Sequence, residues 1–303
     1  EKLVGKFDLG LLEWAEVKTI FSLGMDVFVA ALFSVVMGHS LLLFSGHLLT
    51  LEQTAILAVN LKLVNMMTQI LQRVPGSAEP LLMKMVSEGQ LDQFRVWWKL
   101  VAKATILLSL FAAGMFVLWS EFVITAWTSK EEMVIHGAAL VLLALIPFRY
   151  LSHYVFVNSL GIFKEIRKVK WFLLWEVVLY TGLAFWLGTR FGLIGLLSAN
   201  LLSMLGGALL SGMNFFSFYS RIPFGHLLAL FIRLTLPLSF TFFVLKSLTN
   251  GFIGEGVVYS TGMSLVWSLL FVVICFFIVL DQNEQNQLKV LAQKFRAKKG
   301  HRQ

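Results

Sequence analysis

Residues 100–120 read LVAKATILLSLFAAGMFVLWS and contain one charged side chain, Lys103. A transmembrane helix needs about 20 predominantly apolar residues to cross a hydrocarbon core of about 30 Å. The strands of a membrane barrel are shorter, at about ten residues, and alternate between apolar and polar positions. This stretch does not alternate, so its length and composition predict a transmembrane α-helix.

Seven other runs of the sequence share this length and apolar character. They are residues 20–45, 52–74, 133–160, 170–188, 193–218, 226–247 and 257–280. Each run is long enough to cross a bilayer as a helix. We therefore expect an all-α fold, a polytopic membrane helical bundle of about eight transmembrane helices.

Composition excludes several classes of protein. Hydrophobic residues make up 58% of the 303 residues and charged residues 14%, whereas about a quarter of the residues in a soluble domain are charged. Cys275 is the single cysteine, which excludes an internal disulfide and a thiolate metal site. The sequence contains no GxxxxGKS/T, HExxH or CxxC motif, and its histidines are scattered. We therefore expect a membrane protein that is not an enzyme and that uses no metal or cofactor.

The basic residues predict an orientation in the membrane. The connections between successive spans lie alternately on the two sides of the membrane, which divides the connections and chain ends into two sets. Of the 25 Lys and Arg, eighteen fall in one set, and three, Lys130, Arg190 and Lys246, fall in the other set. Basic connections face the cytoplasm, so we expect both ends of the chain there, with residues 1–19 as an amphipathic lead-in and 281–303 as a basic tail. The net charge of +8 thus orients the chain among membrane lipids and does not indicate nucleic-acid binding.

Four of the 25 basic residues belong to neither set and are assigned to the interior of the predicted spans: Lys62, Arg73, Arg149 and Arg233. Each costs about 2.5 to 3.5 kcal/mol at the centre of a transmembrane helix. Such residues therefore face a water-filled cavity or a buried partner. Pro147 lies in the same span as Arg149 and predicts a bend there, because proline removes a backbone hydrogen bond.

Polar side chains accompany these charges at helical spacing. In span 52–74, five polar residues recur at the spacing of an α-helix and would form a polar stripe along one face: Lys62, Asn65, Gln69, Gln72 and Arg73. In span 133–160, Arg149 and His153 lie one turn apart on one face. The sequence therefore predicts a substrate-binding site composed of Lys62, Asn65, Gln69, Arg73, Arg149, His153 and Arg233.

Two interpretations of the intramembrane charges remain open. In the first, the basic residues line a cationic, water-accessible cavity that suits a phosphate, a pyrophosphate or an acidic sugar. In the second, they form internal salt bridges with Asp26, Glu79 or Glu176. Basic residues outnumber acidic ones within the spans, so pairing cannot neutralise them all. We favour the cavity, because intramembrane charge usually serves a function.

Three stretches of the sequence resemble a known family. Residues 154–171, YVFVNSLGIFKEIRKVKW, contain a short basic loop with a G-x-x-K pattern, and residues 190–203, RFGLIGLLSANLLS, open with an FGxxG turn. Residues 38–94 carry Pro80 and then a small-residue and acidic turn, SEG, at 87–89. Together these stretches resemble the second half of the polysaccharide flippases in the multidrug/oligosaccharidyl-lipid/polysaccharide (MOP) superfamily.

The resemblance covers essentially the whole chain and implies an architecture. Residues 20–218 would form a six-helix C-terminal lobe, and residues 226–280 the additional helix pair of fourteen-helix members. The complete transporter would be V-shaped and two-lobed and would lie in the bacterial inner membrane. The chain begins with Glu1 instead of Met, so we expect a fragment from which the first lobe is missing.

The resemblance also implies a function. The cargo would be an undecaprenyl-pyrophosphate-linked oligosaccharide, moved to the outer leaflet for O-antigen, capsule, teichoic acid or exopolysaccharide assembly. The polysaccharide polymerase and glycosyltransferases of the same pathway would be partners. Lys62, Arg73, Arg149 and Arg233 would attract the pyrophosphate or acidic sugars, while the helix amides would bind sugar hydroxyls.

Two alternatives remain beside the flippase. A multidrug/cation antiporter of the same superfamily would prefer an acidic cavity, and the excess of intramembrane Lys and Arg argues against it. A membrane-embedded glycosyl or phosphoryl transferase would need converging acidic residues, for which Asp26, Glu79 and Glu176 are the candidates. His39 also departs from the family pattern, because many relatives carry an acidic residue at that place.

Overall fold

The computed structural model describes residues 14–249 and 257–275. Within these two ranges every regular element is a helix and no strand occurs. The expected tail, 281–303, lies outside the described residues, as do most of the lead-in and the end of the last span. The prediction of an all-α fold is confirmed.

Nine α-helices follow one another in the described part of the chain. Their bounds are α1 Trp14–Leu48, α2 Leu51–Ser87, α3 Leu91–Thr128, α4 Gly137–Ala144, α5 Ile146–Phe156, α6 Ile166–Ser203, α7 Leu210–Ser220, α8 Phe224–Thr249 and α9 Val257–Ile274. Short 3-10 helices occupy Glu131–Met133 and Asn158–Phe163, and a π-helical segment, Met204–Leu209, joins α6 to α7.

Six stretches of the described chain are long and apolar enough to cross a membrane. They are Ile20–Leu48, Leu51–Ser87, Leu91–Thr128, Gly137–Phe163, Arg167–Ser220 and Phe224–Thr241, with a shorter apolar helix at Ser260–Ile274. This set of helices fits a multi-pass membrane protein. The predicted polytopic bundle is therefore confirmed.

The longest of these stretches turns back on itself at Gly192. Gly192 has φ 56° and ψ −132°, a backbone conformation that is essentially restricted to glycine. Beyond it the chain returns so closely that a Cβ at Gly195 would collide with the Leu187 carbonyl, and one at Gly188 would lie 2.9 Å from the Leu196 side chain. The helix α6 therefore has a first arm, 166–191, and a second arm, 193–203.

The reversal at Gly192 accounts for two predicted spans. A straight helix of 54 residues would be about 81 Å long at 1.5 Å per residue, far more than the thickness of a bilayer. The folded stretch instead supplies two crossings, as the separate runs 170–188 and 193–218 predict. The described residues thus hold seven long crossings and the shorter apolar helix in α9.

Helices α1 and α2 diverge from a shared turn. Thr50 caps α2: its hydroxyl accepts a hydrogen bond from the Gln53 amide at 3.2 Å, and the Gln53 side chain accepts one from the Thr50 amide at 3.4 Å. From this turn α1 packs mainly against α6, whereas α2 packs mainly against α3 and α5. The divergence leaves a cleft between α1 and α2.

A break at Leu145 positions the first turn of α5. Helix α4 ends at Ala144 and α5 begins at Ile146, with Pro147 in its first turn. Proline is favoured there because an amide in the first turn of a helix has no intrahelical acceptor. The sequence-predicted bend at Pro147 is thus confirmed, and it places Arg149 just after the break.

Buried apolar residues form two separate clusters. One surrounds Trp98, Phe156 and Phe216, and the other surrounds Leu57 and Leu143. Helices α5 and α6 pass through both clusters. Between the two clusters, these helices carry buried polar side chains, which we call the polar layer: Arg149, Ser152, Glu176, Asn200 and Ser203.

Candidate functional site

The cleft between α1 and α2 has a volume of about 370 Å³. Its two walls are α1 and α2, and its floor is formed by Ile146, Arg149 and Tyr150 of α5 and by Asn200 of α6. Pockets of this volume accommodate small polar ligands or part of a larger one. We call it the α1–α2 cleft.

The α2 wall of the cleft is polar and uncharged. Asn65, Thr68, Gln69 and Gln72 line it, and Asn65 and Gln69 are exposed. Amide side chains offer both hydrogen-bond donors and acceptors. The structure therefore brings the predicted amides Asn65 and Gln69 together in the cleft.

The α1 wall contributes Ser34 and His39. His39 is exposed in the cleft, opposite the α2 amides. It is a titratable side chain that lines the cleft without belonging to the predicted site. A single histidine within an apolar helix gave no signal in the sequence that distinguished it from a packing residue.

Lys62 and Arg73 lie outside the lining of the cleft. At 3.6 residues per turn, they are rotated by about 60° and 80° from Asn65 around the axis of α2. The Lys62 ammonium instead lies 5.6 Å from the centroid of the Trp127 ring. Two residues earlier, the Asn60 side chain donates to the Met133 carbonyl at 2.7 Å, so Lys62 lies close to the connection that follows α3.

Arg149 lies on the floor of the cleft and is 93% buried, with a relative exposure of 7%. One guanidinium nitrogen donates to the Glu176 carboxylate, and Nε donates to the Asn200 carbonyl at 3.1 Å. Glu176 stands on the first arm of α6 and Asn200 on the second. Arg149 therefore joins three crossings while remaining part of the cleft.

His153 lies behind the floor, on the far side of Glu176. Its Nε2 is 3.2 Å from Glu176 Oε2, the oxygen that Arg149 does not bind. The carboxylate of Glu176 is 1% exposed and the His153 side chain 12%. The predicted pair of Arg149 and His153 is thus brought together by a carboxylate that both side chains face.

Arg233 does not lie in the cleft. It is exposed on α8, which packs against α3, α7 and α9. Of the four intramembrane basic residues, Arg149 alone lines the cleft in the described part of the chain. The expectation that all four converge on one cationic cavity is therefore not met, because helical rotation and helix order direct the other three elsewhere.

The three candidate acids each have a partner. Glu176 pairs with Arg149, and Asp26 pairs with Lys170 and lies 3.7 Å from Arg167. Glu79 accepts a hydrogen bond from the Tyr154 hydroxyl at 2.7 Å. The salt-bridge interpretation therefore holds for Arg149, which is also one of the residues that line the cleft.

Several members of the site were not predicted. Tyr150 follows Arg149 directly, and Asn200 and Thr68 lie on helices whose rotation the sequence does not reveal. Glu176 was named only as one of three candidate counter-charges. Among the residues that the structure describes, no group of three or more His, Cys, Asp or Glu side chains could hold a metal ion.

Comparison with known proteins assigns no relative. No protein-family model, no curated protein and no solved structure matches the chain.

Proposed function

We propose that this chain is the second lobe of a MOP-superfamily flippase in the bacterial inner membrane. Its cargo would be an undecaprenyl-pyrophosphate-linked oligosaccharide used to build a cell-surface polysaccharide. The observation that carries the proposal is the α1–α2 cleft, in which exposed amides and a buried arginine share one opening between membrane-spanning helices.

The chemistry of the lining suits a pyrophosphate attached to a sugar. The Arg149 guanidinium presents a planar fork of donors that matches phosphate oxygens. Asn65 and Gln69, exposed on the facing wall, can exchange hydrogen bonds with sugar hydroxyls. A volume of about 370 Å³ suits the pyrophosphate and the first sugar, and further sugars would extend beyond it.

The position of the cleft suits a lipid-linked cargo. It lies between two helices that diverge from one turn, so a polar head group can occupy it while the lipid tail remains among the acyl chains. Transport by alternating access requires a second structural repeat against which this lobe moves. The strongly asymmetric distribution of Lys and Arg supports an orientation with both ends of the chain in the cytoplasm.

The buried carboxylate of Glu176 favours a second candidate, a cation antiporter of the same superfamily. Carboxylates inside membrane spans commonly bind transported cations or protons. An antiporter would lose transport when Glu176 is neutralised, whichever residues line the rest of the cleft. A flippase would depend on Arg149 and on the amides of α2.

Genetic complementation tests the proposal. The gene that encodes this chain is expressed at full length in flippase-deficient bacteria, and surface polysaccharide is measured at matched membrane levels of each variant. We expect Arg149→Ala and the double variant Asn65→Ala/Gln69→Ala to lose restoration, because both change the cleft.

Lys62→Ala and Arg73→Ala are the matched controls, since both remove a cation from outside the cleft, and we expect them to retain restoration. Retained function in both cleft variants would exclude the assigned site. Failure of the wild type in several glycan backgrounds, together with drug resistance conferred by the same gene, would favour the antiporter.

A further inference from the structure

Arg149 takes part both in the α1–α2 cleft and in a buried ion pair with Glu176. The residue lines the floor of the α1–α2 cleft, and its guanidinium is bound to the Glu176 carboxylate. An anion that enters the cleft therefore meets an arginine whose charge is already compensated. To bind that arginine strongly, the anion has to compete with Glu176.

The Glu176 carboxylate lies between two side chains, Arg149 and His153. Arg149 binds its Oε1 atom, and His153 Nε2 lies 3.2 Å from its Oε2 atom. Ser152 and Asn200 of the polar layer are buried as well. If Arg149 moves, His153 is therefore the side chain that still faces the Glu176 carboxylate.

We infer that the Arg149–Glu176–His153 cluster is a proton-linked anion site. An anion in the cleft draws Arg149 away from Glu176, and the Glu176–His153 pair binds one proton from solution as it does so. This inference deepens the proposed function and rests on it for the identity of the anion, the pyrophosphate of a lipid-linked substrate.

The charge balance explains the linkage. Before binding, Arg149 and Glu176 carry opposite charges, so the ion pair has no net charge. Once Arg149 is shared with the anion, a carboxylate that is 1% exposed loses its counter-ion, which is strongly unfavourable in a low-dielectric interior. A proton bound to the Glu176 carboxylate or to His153 Nε2 restores neutrality, and no other bond is made or broken.

Other titratable groups near the cluster come from each packed element. Helix α1 contributes His39 and α5 contributes Tyr150, both in the cleft. Tyr180 lies one turn from Glu176 on α6, and α3, which packs on α5, carries the buried Lys103. The α2 wall offers neutral side chains only. Outside the cleft, Glu79 of α2 accepts a hydrogen bond from Tyr154, the residue after His153. The test therefore has to distinguish the cluster from other titratable groups, and above all from His39 inside the cleft.

The test measures ligand binding and proton uptake together. The full-length protein in lipid nanodiscs is titrated by calorimetry with a short-chain polyprenyl pyrophosphoryl sugar, in buffers of different ionisation enthalpy. This diester carries a fixed charge, so a proton taken up on binding belongs to the protein. Between about pH 6 and pH 8, where histidine-containing sites exchange protons, we expect uptake approaching one proton per ligand.

Affinity should follow the same linkage. Where one full proton is taken up, the dissociation constant should rise about tenfold for each unit of increasing pH. Glu176→Gln has no carboxylate to protonate, so its binding should become independent of pH and should be tighter than that of the wild type at the upper end of the range. His39→Gln should retain the uptake, and Lys62→Gln serves as a control for changes of surface charge.

Each outcome decides the inference. Ligand binding without proton uptake, or uptake that disappears in His39→Gln, would overturn it while leaving the proposed substrate class intact. Absence of binding at every pH would overturn both. If Glu176→Gln does not fold, His153→Gln keeps the Arg149–Glu176 pair, and the midpoint of proton uptake should move to lower pH; an unchanged midpoint would overturn the inference.

Discussion

Glu176 and Asn200 stand on the two arms of α6, and both contact the side chain of Arg149. In one continuous helix these two residues would lie about 36 Å apart at 1.5 Å per residue. The turn at Gly192 brings them to the same depth in the bundle. Arg149 on α5 therefore connects the two arms of this helical hairpin and also lines the cleft.

Removing Arg149 should destabilise the protein more than removing its whole ion pair. Arg149→Met leaves the buried Glu176 carboxylate without its main partner, and we expect a loss of about 3 to 5 kcal/mol in the free energy of unfolding. Arg149→Met/Glu176→Gln leaves no such charge and should lose considerably less. Denaturant unfolding in detergent micelles measures both, and equal losses would contradict the prediction that the uncompensated Glu176 carboxylate causes most of the loss.

Gly192→Ala should weaken the hairpin through backbone strain alone. A Cβ at this position would lie 3.8 Å from the Leu49 side chain, an ordinary contact. The positive φ with ψ −132° remains unfavourable for alanine, and we expect a cost of about 1 to 3 kcal/mol. The matched control is Gly182→Ala on the first arm, where no atom lies within 4 Å of the added methyl group.

The same unfolding measurement compares the two glycine variants. Gly182→Ala should be neutral or should stabilise the helix by up to about 1 kcal/mol, since alanine favours helical backbone. A loss at Gly182 as large as the loss at Gly192 would contradict the assignment of the turn.

Gly114→Ala should displace α9 from α3. A Cβ at Gly114 would lie 2.5 Å from Nε1 of Trp267, a side chain that is 1% exposed. We expect a cost of about 1 to 3 kcal/mol, typical of overpacking. Because Trp119 donates a hydrogen bond to Ser264 at 2.6 Å, cysteines at these two positions provide a cross-linking reporter in a Cys275→Ser background.

The yield of a short bismaleimide cross-link between the two cysteines should fall in Gly114→Ala. The control, Gly262→Ala on α9, places its methyl group where no atom lies within 4 Å, and its yield should stay at the parental level. A yield that is insensitive to Gly114→Ala would show that α9 does not depend on this contact.

Water should reach the α2 amides of the cleft. In a Cys275→Ser background, Asn65→Cys and Gln69→Cys should react with a charged thiol reagent in intact membranes, because both positions are exposed in the cleft. Asn60→Cys, at 0% exposure, should react much more slowly. Rates are measured by quantitative mass spectrometry of the labelled protein. If the cysteines at positions 65 and 69 react as slowly as the one at position 60, a water-filled cleft is excluded.

Much of the fold could be predicted because its signals are local. A run of about 20 apolar residues specifies a crossing whatever its neighbours are, and the FGxxG stretch separates runs 170–188 and 193–218 at the place where Gly192 turns. The pairing of α1 with α6 and of α2 with α3 had no comparable signal, because apolar helices offer one another similar surfaces in a membrane.

The site could be predicted only in part. The cost of an intramembrane charge identified Arg149, and helical period grouped Asn65 with Gln69. The same stripe also included Lys62 and Arg73, because a sequence pattern does not fix the rotation of a helix closely enough to separate residues about 60° to 80° apart. The partner of Arg149 depended on the hairpin, so Glu176 could not be distinguished from Asp26 or Glu79.

The two apolar clusters and the polar layer between them should differ in how easily they rearrange. Each cluster is a coherent block, whereas the polar layer between them is joined by a few directional bonds centred on Arg149. Such bonds can be exchanged one at a time, while close-packed apolar contacts resist gradual deformation. The π-helical segment Met204–Leu209 begins beside Ser203 of this layer, and such segments often mark functional positions in helices. We therefore expect the two clusters to move relative to each other at the polar layer, and a ligand bound to Arg149 would favour or oppose that movement.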